Sequence, residues 1–284
     1  MANLIGGIAT SHIPAIGGAI HKGIQQEPYW KPFFDGFPPI RDWLNARKPD
    51  VMVIFYNDHG LNFFLDKMPT FAVGAAPQYV NSDEGWGIPS LEPLRGEVDL
   101  SWHIINSLID QEFDVVSCQE LLVDHACSLP LKLLYPAGNY PLTVVPICIN
   151  TVQFPLPKAS RVYALGKAVG QAIADWDSSK TVAVIASGGF SHQLDGERAG
   201  FINKAFDLQF MDSLLSNPEW ATQFSIHELV EKTGTQGVEL LMWLAMRAAL
   251  TPGAGAGVRK VHSNYHIPIS NTATGLLALE KTAY

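Results

Sequence analysis

Charge is scarce in this sequence. Asp, Glu, Lys and Arg make up 16% of 284 residues, against about 25% in an ordinary soluble domain. Much buried surface is therefore expected, a subunit interface included. Basic residues are the rarer sign, 19 against 27 acidic, which leaves a net charge of −8. That balance argues against nonspecific nucleic-acid binding, which needs a basic face to displace phosphate counterions. It also argues against an anionic membrane surface as a partner. No run of 18 apolar residues exists, which excludes a helical bilayer span. The opening MANLIGGIATSHIP lacks the basic region and long apolar stretch of a signal peptide. Cysteine is limited to Cys118, Cys127 and Cys148, with no CxxC pairing. They are read as reduced thiols of a cytoplasmic protein. The turns GGIATS and ASGGFS contain glycine but match neither GxGxxG nor GxxxxGK[ST], so a nucleotide site is not expected.

What is present is an alternation of strand-like and helix-like segments. VMVIFYND (51–58) and TVAVIAS (181–187) are continuous apolar runs typical of strands buried on both faces. Further strands are expected at 3–10, 70–75, 114–119, 142–150 and 261–267. Pro146 should place the 142–150 strand at an edge or a bulge. Helices are expected at about 40–47, 97–112, 160–175, 199–216, 226–232, 236–250 and 271–280, and loops at 22–39, 76–95 and 251–257. No repeat or linker divides the chain. The pattern predicts one α/β domain, residues 1–284, with a mixed or mostly parallel central sheet between helical layers.

Nine histidines stand out against so little charge. His12 follows the first strand, His59 ends VMVIFYND, His192 follows TVAVIASGGFS, and His125 follows the 114–119 strand. Open α/β sheets bind ligands outside the carboxyl ends of their strands, so several of these side chains are expected at one rim. A lone strand-end histidine is more often a hydrogen-bonded structural residue; four together raise the chemical reading. His21, His103 and His227 fit packed or solvent-facing roles. His262 and His266 flank a strand, and His266 is a candidate to line the site.

Glu239 interrupts the apolar segment QGVELLMWLAMRAAL. A carboxylate there must be paired, solvated or metal-bound, because burying it bare costs several kcal/mol, roughly. If Glu239 shares a polar helix stripe with Thr235, it faces water. If it meets two histidines, the set is the two-histidine, one-carboxylate triad of non-haem Fe(II) oxygenases. Zn²⁺ accepts the same donors in hydrolases, and spacing does not choose between the metals.

At these residues the sequence resembles the class III extradiol ring-cleaving dioxygenases, of the protocatechuate 4,5-dioxygenase β-subunit type, and their gallate-cleaving relatives. The resemblance runs over SHIPAIG (11–17), KPDVMVIFYNDH (48–59), PTFAVG (69–74), DEGWG (83–87), VDHAC (123–127), GGFSHQLDGERAGFINKAFD (188–207), GVELLMWLAMRAAL (237–250) and YHIPISNTA (265–273). It implies Fe(II) held by His12, His59 and Glu239. It implies His192 as the active-site acid–base residue, His125 as a second pocket histidine, and Ser270 and Asn271 on the substrate side. The sequence departs from the family's pattern at Ala126, where glycine is expected, and at Phe190, where the protocatechuate enzymes carry methionine.

The implied reaction opens a catecholic acid such as protocatechuate with O₂, by 4,5-cleavage, to a hydroxymuconate semialdehyde. Gallate and 3-O-methylgallate are alternative substrates. The gallate relatives often carry a fused C-terminal helical domain, whereas this sequence ends at Tyr284; the protocatechuate type implies a separate small helical α-subunit and a hetero- or homo-oligomer. The competing readings are a metal-dependent hydrolase on the same sheet and a noncatalytic binding subunit.

Overall fold

A computed structural model describes residues 1–85, 92–251, 257–268 and 271–282. The chain runs β1 (Asn3–Thr10), α1 (Pro14–Lys22), α2 (Lys31–Phe34), α3 (Pro38–Arg47), β2 (Val51–Tyr56), β3 (Phe71–Gly74), β4 (Gln78–Asn81), β5 (Leu94–Arg95), α4 (Val98–Asp110), β6 (Val116–Cys118), β7 (Leu122–Val123), α5 (His125–Leu134), β8 (Thr143–Ile149), α6 (Ala159–Asp175), β9 (Thr181–Ser187), α7 (Lys204–Ser216), α8 (Ile226–Thr233), α9 (Leu240–Ala249), β10 (Gly257–His266) and β11 (Thr274–Thr282).

The main sheet has eight strands in the order β10-β11-β1-β9-β2-β8-β3-β6, and a small sheet has the order β5-β4-β7. Strands β1, β9, β2 and β8 are mutually parallel, as are β3 and β6. The β1–β11, β10–β11 and β3–β8 pairs are antiparallel. The expected mixed sheet is thus present.

Side-chain alternation along β2 divides the core. Val51, Val53 and Phe55 pack on one face with Leu100, Ile104 and Leu108 of α4, Val162, Leu165 and Val169 of α6, and most of α9. Met52, Ile54 and Tyr56 point to the other face, against Ile16 of α1, Ile40 and Leu44 of α3, and Leu129 of α5. Period-two alternation with both faces covered is why the central strands read as unbroken apolar runs.

Several expected elements differ. Residues 271–280, expected as helix, contain β11 instead. Its Thr274–Glu280 are buried between β10 and β1, and a short apolar run buried on both sides has no period that separates strand from helix. Strand β8 is interior, not an edge. Pro146 is tolerated because the β3–β8 ladder ends at Val73↔Ile147, one step before it. Its ring lies against Gly74, where a Cβ would come within 3.1 Å, so the missing N–H falls where no ladder bond is due. Helices α1 and α5 were not anticipated; glycines in the first and Pro130 in the second mask their periodicity. The expected loop 22–39 holds α2 and the first residues of α3, and the expected loop 76–95 holds β4 and β5. The loop at 251–257 lies largely outside the described residues, and β10 starts at Gly257.

Candidate metal centre

The parallel strands end together at one rim. Ser11 and His12 follow β1, Asn57, Asp58 and His59 follow β2, and the 188–192 turn follows β9. His125 is the first residue of α5, which opens at the same rim. Glu239 is not inside a helix; it closes a 3₁₀ turn, Gly237–Glu239, and stands at the N-cap of α9. It does not share a water-facing stripe with Thr235, because Glu239 is only 5% exposed.

Three imidazoles converge there. Ring centroids are 5.2 Å apart for His12–His59, 5.4 Å for His12–His125 and 4.4 Å for His59–His125. One nitrogen from each lies within 4.8 Å of the others. Glu239 spans two of them: Oε2 is 3.5 Å from His12 Nε2 and Oε1 is 3.5 Å from His59 Nε2. The carboxylate also accepts the Gly189 N–H on Oε2, at 2.9 Å, and the Asn57 amide on Oε1, at 3.1 Å. His12 is 2% exposed, whereas the His59 side chain keeps 29% of its surface open.

Close approach requires the glycines of the 188–192 turn. A Cβ on Gly188 would lie 2.5 Å from the Glu239 carbonyl oxygen, and one on Gly189 would lie 2.9 Å from His192 Cε1.

Each of the four histidines is held at Nδ1. His12 Nδ1 meets Ser187 Oγ at 2.9 Å, His59 Nδ1 meets Asp124 Oδ2 at 2.9 Å, and His125 Nδ1 meets Glu84 Oε1 at 2.9 Å. His192 Nδ1 meets the Phe190 carbonyl oxygen at 2.8 Å. Partners that only accept place the proton on Nδ1 of His59, His125 and His192, which fixes the ring and leaves Nε2 as the working nitrogen. Asp58 folds the turn behind His59 by accepting the backbone N–H of Gly60, Leu61, Asn62 and Phe63. The 188–192 turn is clamped by Asp207 of α7, which accepts Ser191 N–H, Ser191 Oγ–H and the Tyr265 hydroxyl.

The electrostatics favour a cation. Burial pushes the Glu239 carboxyl up, but His12 and His59 at its oxygens outweigh it and hold it well below the usual carboxylate range. Burial lowers His12. Burial also works against charge on His59, yet Asp124 and Glu239 on either side prevail and push it up to about 10. Among the described residues, no Lys or Arg pairs with Glu239 or Asp124. Glu239 and the imidazoles at its oxygens form a donor set suited to a divalent metal, and Asp124 adds a buried negative charge behind His59.

His192 is buried, and its backbone N–H donates to the Thr233 carbonyl. Its main chain bridges to Thr272. Asn271, next to Thr272, is exposed, and Ser270 lies outside the described residues. His266 does not join the cluster, because its Nε2 is spent on the Tyr29 carbonyl. His103 binds the Ala172 carbonyl and His227 stacks on Phe154. Sequence reasoning missed Asn57, Glu84, Asp124, Ser187 and Asp207. Asn57, Glu84 and Asp124 do sit in the quoted segments YNDH, DEGWG and VDHAC, within two residues of a site histidine in two cases.

Residues 6–275 match the family described as the catalytic LigB subunit of aromatic ring-opening dioxygenase. This chain belongs to that family. Among its LigB relatives is a gallate dioxygenase of Pseudomonas putida, 37% identical over 200 residues, covering 70% of this chain and 57% of that protein. The chain therefore spans under two thirds of that relative's length. A 2,3-dihydroxyphenylpropionate/2,3-dihydroxicinnamic acid 1,2-dioxygenase of Xanthobacter autotrophicus is 31% identical over 277 residues, covering 82% of this chain and 85% of that protein. In fold, the chain is similar to an uncharacterized protein of Escherichia coli K12 (TM-score 0.54, 13% identity), with 96% of this chain and 99% of that one covered. The LigB match spans His12, His59, His125, His192 and Glu239.

Proposed function

We propose that this chain is an extradiol ring-cleaving dioxygenase of catecholic acids, in which His12, His59 and Glu239 hold Fe(II). The observation that carries this reading is the buried Glu239 carboxylate with one imidazole Nε2 at 3.5 Å from each oxygen. Two neutral imidazoles and one carboxylate leave neighbouring coordination positions free. Bound iron would supply Lewis acidity toward adjacent phenol oxygens and a route for electrons from ring to O₂. Zn²⁺ would accept the same donors, but membership of a ring-opening dioxygenase family favours oxygen chemistry over the hydrolase and the noncatalytic readings.

The chain's own residues do the rest. His192 Nδ1–H is tied to the Phe190 carbonyl, so Nε2 is free to take a phenolic proton and to return it as the ring opens. His125, with its proton held on Nδ1, presents Nε2 to a diol oxygen. Both atoms of O₂ end in the product, and the ring bond beside the diol is broken. The finer substrate assignment is protocatechuate, opened by 4,5-cleavage to a hydroxymuconate semialdehyde. Gallate and 3-O-methylgallate differ from it by one small group, a difference worth about 1–3 kcal/mol in a pocket. Gallate and dihydroxyphenylpropionate, named for the relatives, share with protocatechuate adjacent hydroxyls and a carboxylate. Ser270 and Asn271 are assigned to the substrate side; for Asn271, the Thr272–His192 bridge at the next residue supports that position.

A small helical α-subunit and a hetero- or homo-oligomer complete the proposal. Their support is an apolar rim: Phe64, Leu65, Leu194 and Ile267 are exposed on segments that follow β2, β9 and β10. Cytoplasmic residence is supported by three buried free cysteines. No helix among the described residues is long and apolar enough to cross a membrane.

Anaerobic reconstitution with Fe(II), followed by O₂ uptake on protocatechuate, gallate and 3-O-methylgallate, tests the proposal. A yellow ring-fission product is expected, with uptake lowered about 10²–10⁴-fold in His192→Ala at unchanged iron content. No uptake on any diol, or a fully active His192→Ala, would overturn it.

A further inference from the structure

Glu84 belongs to the DEGWG segment and meets the site only through His125. It follows β4 on the small sheet. Both carboxylate oxygens are spent on a single residue: Oε2 accepts the His125 backbone N–H at 2.7 Å, and Oε1 accepts the ring Nδ1–H at 2.9 Å. The register explains the meeting. Strands β4 and β7 pair Val80↔Leu122 and Asn81↔Val123, and Ser82 N–H extends the pairing to the Val123 carbonyl. Two residues further on, Glu84 reaches His125. The Glu84 side chain is 15% exposed against 3% for His125, so the bond is shielded from water.

Asp124, Glu84 and His125 bring donor atoms within 4.8 Å. Asp124, however, already holds His59, and Glu84 already holds His125. The trio therefore acts as a support for two imidazoles and not as a second cation site. His12 and His192 take their Nδ1 partners from β9 and the turn after it. His125 is held from the small sheet.

We propose that Glu84 is a positioning residue for His125: its two-point grip fixes the ring plane and keeps the neutral ring's proton on Nδ1, so that Nε2 accepts from the bound diol. The inference rests on the reading of His125 as a pocket residue. Glu84→Gln tests it, because the side-chain amide nitrogen cannot accept. The backbone N–H must keep the amide oxygen, so the amide donates to Nδ1 and the ring proton moves to Nε2.

Imidazole ¹⁵N shifts in the metal-free protein, with His125 assigned by loss of its signals in His125→Phe, read this directly. The expected result is Nδ1–H in the wild type and Nε2–H in Glu84→Gln. In steady state, kcat should fall about 10–100-fold, with iron content and KM close to wild type. Glu84→Asp, which keeps the charge, should recover part of the loss. Glu84→Gln/His125→Phe should be no slower than His125→Phe alone. An unchanged tautomer in Glu84→Gln, or losses that multiply in the double variant, would overturn the proposal. If the wild type cleaves no diol, the functional reading fails, and the ¹⁵N result still judges Glu84 by itself.

Discussion

Replacing Asp124 separates two tasks of one buried carboxylate. Its Oδ2 accepts the His59 backbone N–H at 3.0 Å and the His59 Nδ1–H at 2.9 Å, and its Oδ1 accepts the Cys127 N–H at 3.3 Å as the N-cap of α5. In Asp124→Ala the lost cap costs about 0.5–2 kcal/mol. The two His59 donors lose a partner in a site only partly open to water, which costs about 1–3 kcal/mol for each one left unsatisfied. Taken in full these add to about 2.5–8 kcal/mol; solvent access at His59 relieves part of it, so a destabilisation of about 2–5 kcal/mol is expected. Asp124→Asn should cost less, about 1–3 kcal/mol, because its amide oxygen still caps α5 while its amide nitrogen leaves the His59 backbone N–H without an acceptor. Its amide nitrogen nevertheless faces the His59 Nδ1–H, which turns the ring or moves its proton to Nε2. Metal affinity should then fall about 10–100-fold. Urea unfolding of the metal-free variants gives the first quantity, at an unchanged m-value. Competitive Co(II) titration gives the second. Asp124→Ala as stable as wild type, or Asp124→Asn with wild-type Co(II) affinity, would refute the reasoning.

Further outcomes follow from the same geometry. His59 is raised from 6.5 to about 10, so the folded metal-free protein holds a proton that the unfolded chain releases between those values; this contribution to stability should be complete below pH 6.5 and lost as pH rises toward 10. Metal must displace that proton, so affinity should rise with pH across the same window, with proton release visible in the buffer dependence of the binding enthalpy. Gly188→Ala places a Cβ 2.5 Å from the Glu239 carbonyl oxygen, and should weaken Co(II) binding while circular dichroism stays native. Asp207→Ala removes the acceptor of three donors from Ser191 and Tyr265; a loss of about 3 kcal/mol or more in urea unfolding is expected, with iron content retained and turnover reduced through His192.

The sheet was legible where burial leaves a mark on composition. VMVIFYND and TVAVIAS read as central strands because both faces of β2 and β9 are covered. The same rule misled at β11, whose Leu- and Ala-rich run suits a helix as well, and only its place between β10 and β1 decides. Pro146 pointed to an edge because its sequence carries no sign that the neighbouring ladder stops at Val73. The convergence of His12, His59 and the 188–192 turn followed from their places beside strand ends, since the parallel strands β1, β2 and β9 gather those ends at one rim. His125 arrives by another route, because β6 runs antiparallel to those strands and the residue reaches the rim as the start of α5. Glu239 announced itself as a carboxylate in an apolar segment. Its supports were silent for a physical reason: Asp124 and Glu84 resemble any surface acid until the fold brings them to an imidazole Nδ1.

Anaerobic Fe(II) titration of the wild type and of Glu239→Ala, each followed by admission of O₂ with protocatechuate, puts the metal assignment to the test. One tightly bound iron per wild-type chain and oxygen uptake are expected, with neither in Glu239→Ala. A Glu239→Ala variant that binds iron fully and still takes up oxygen would contradict it.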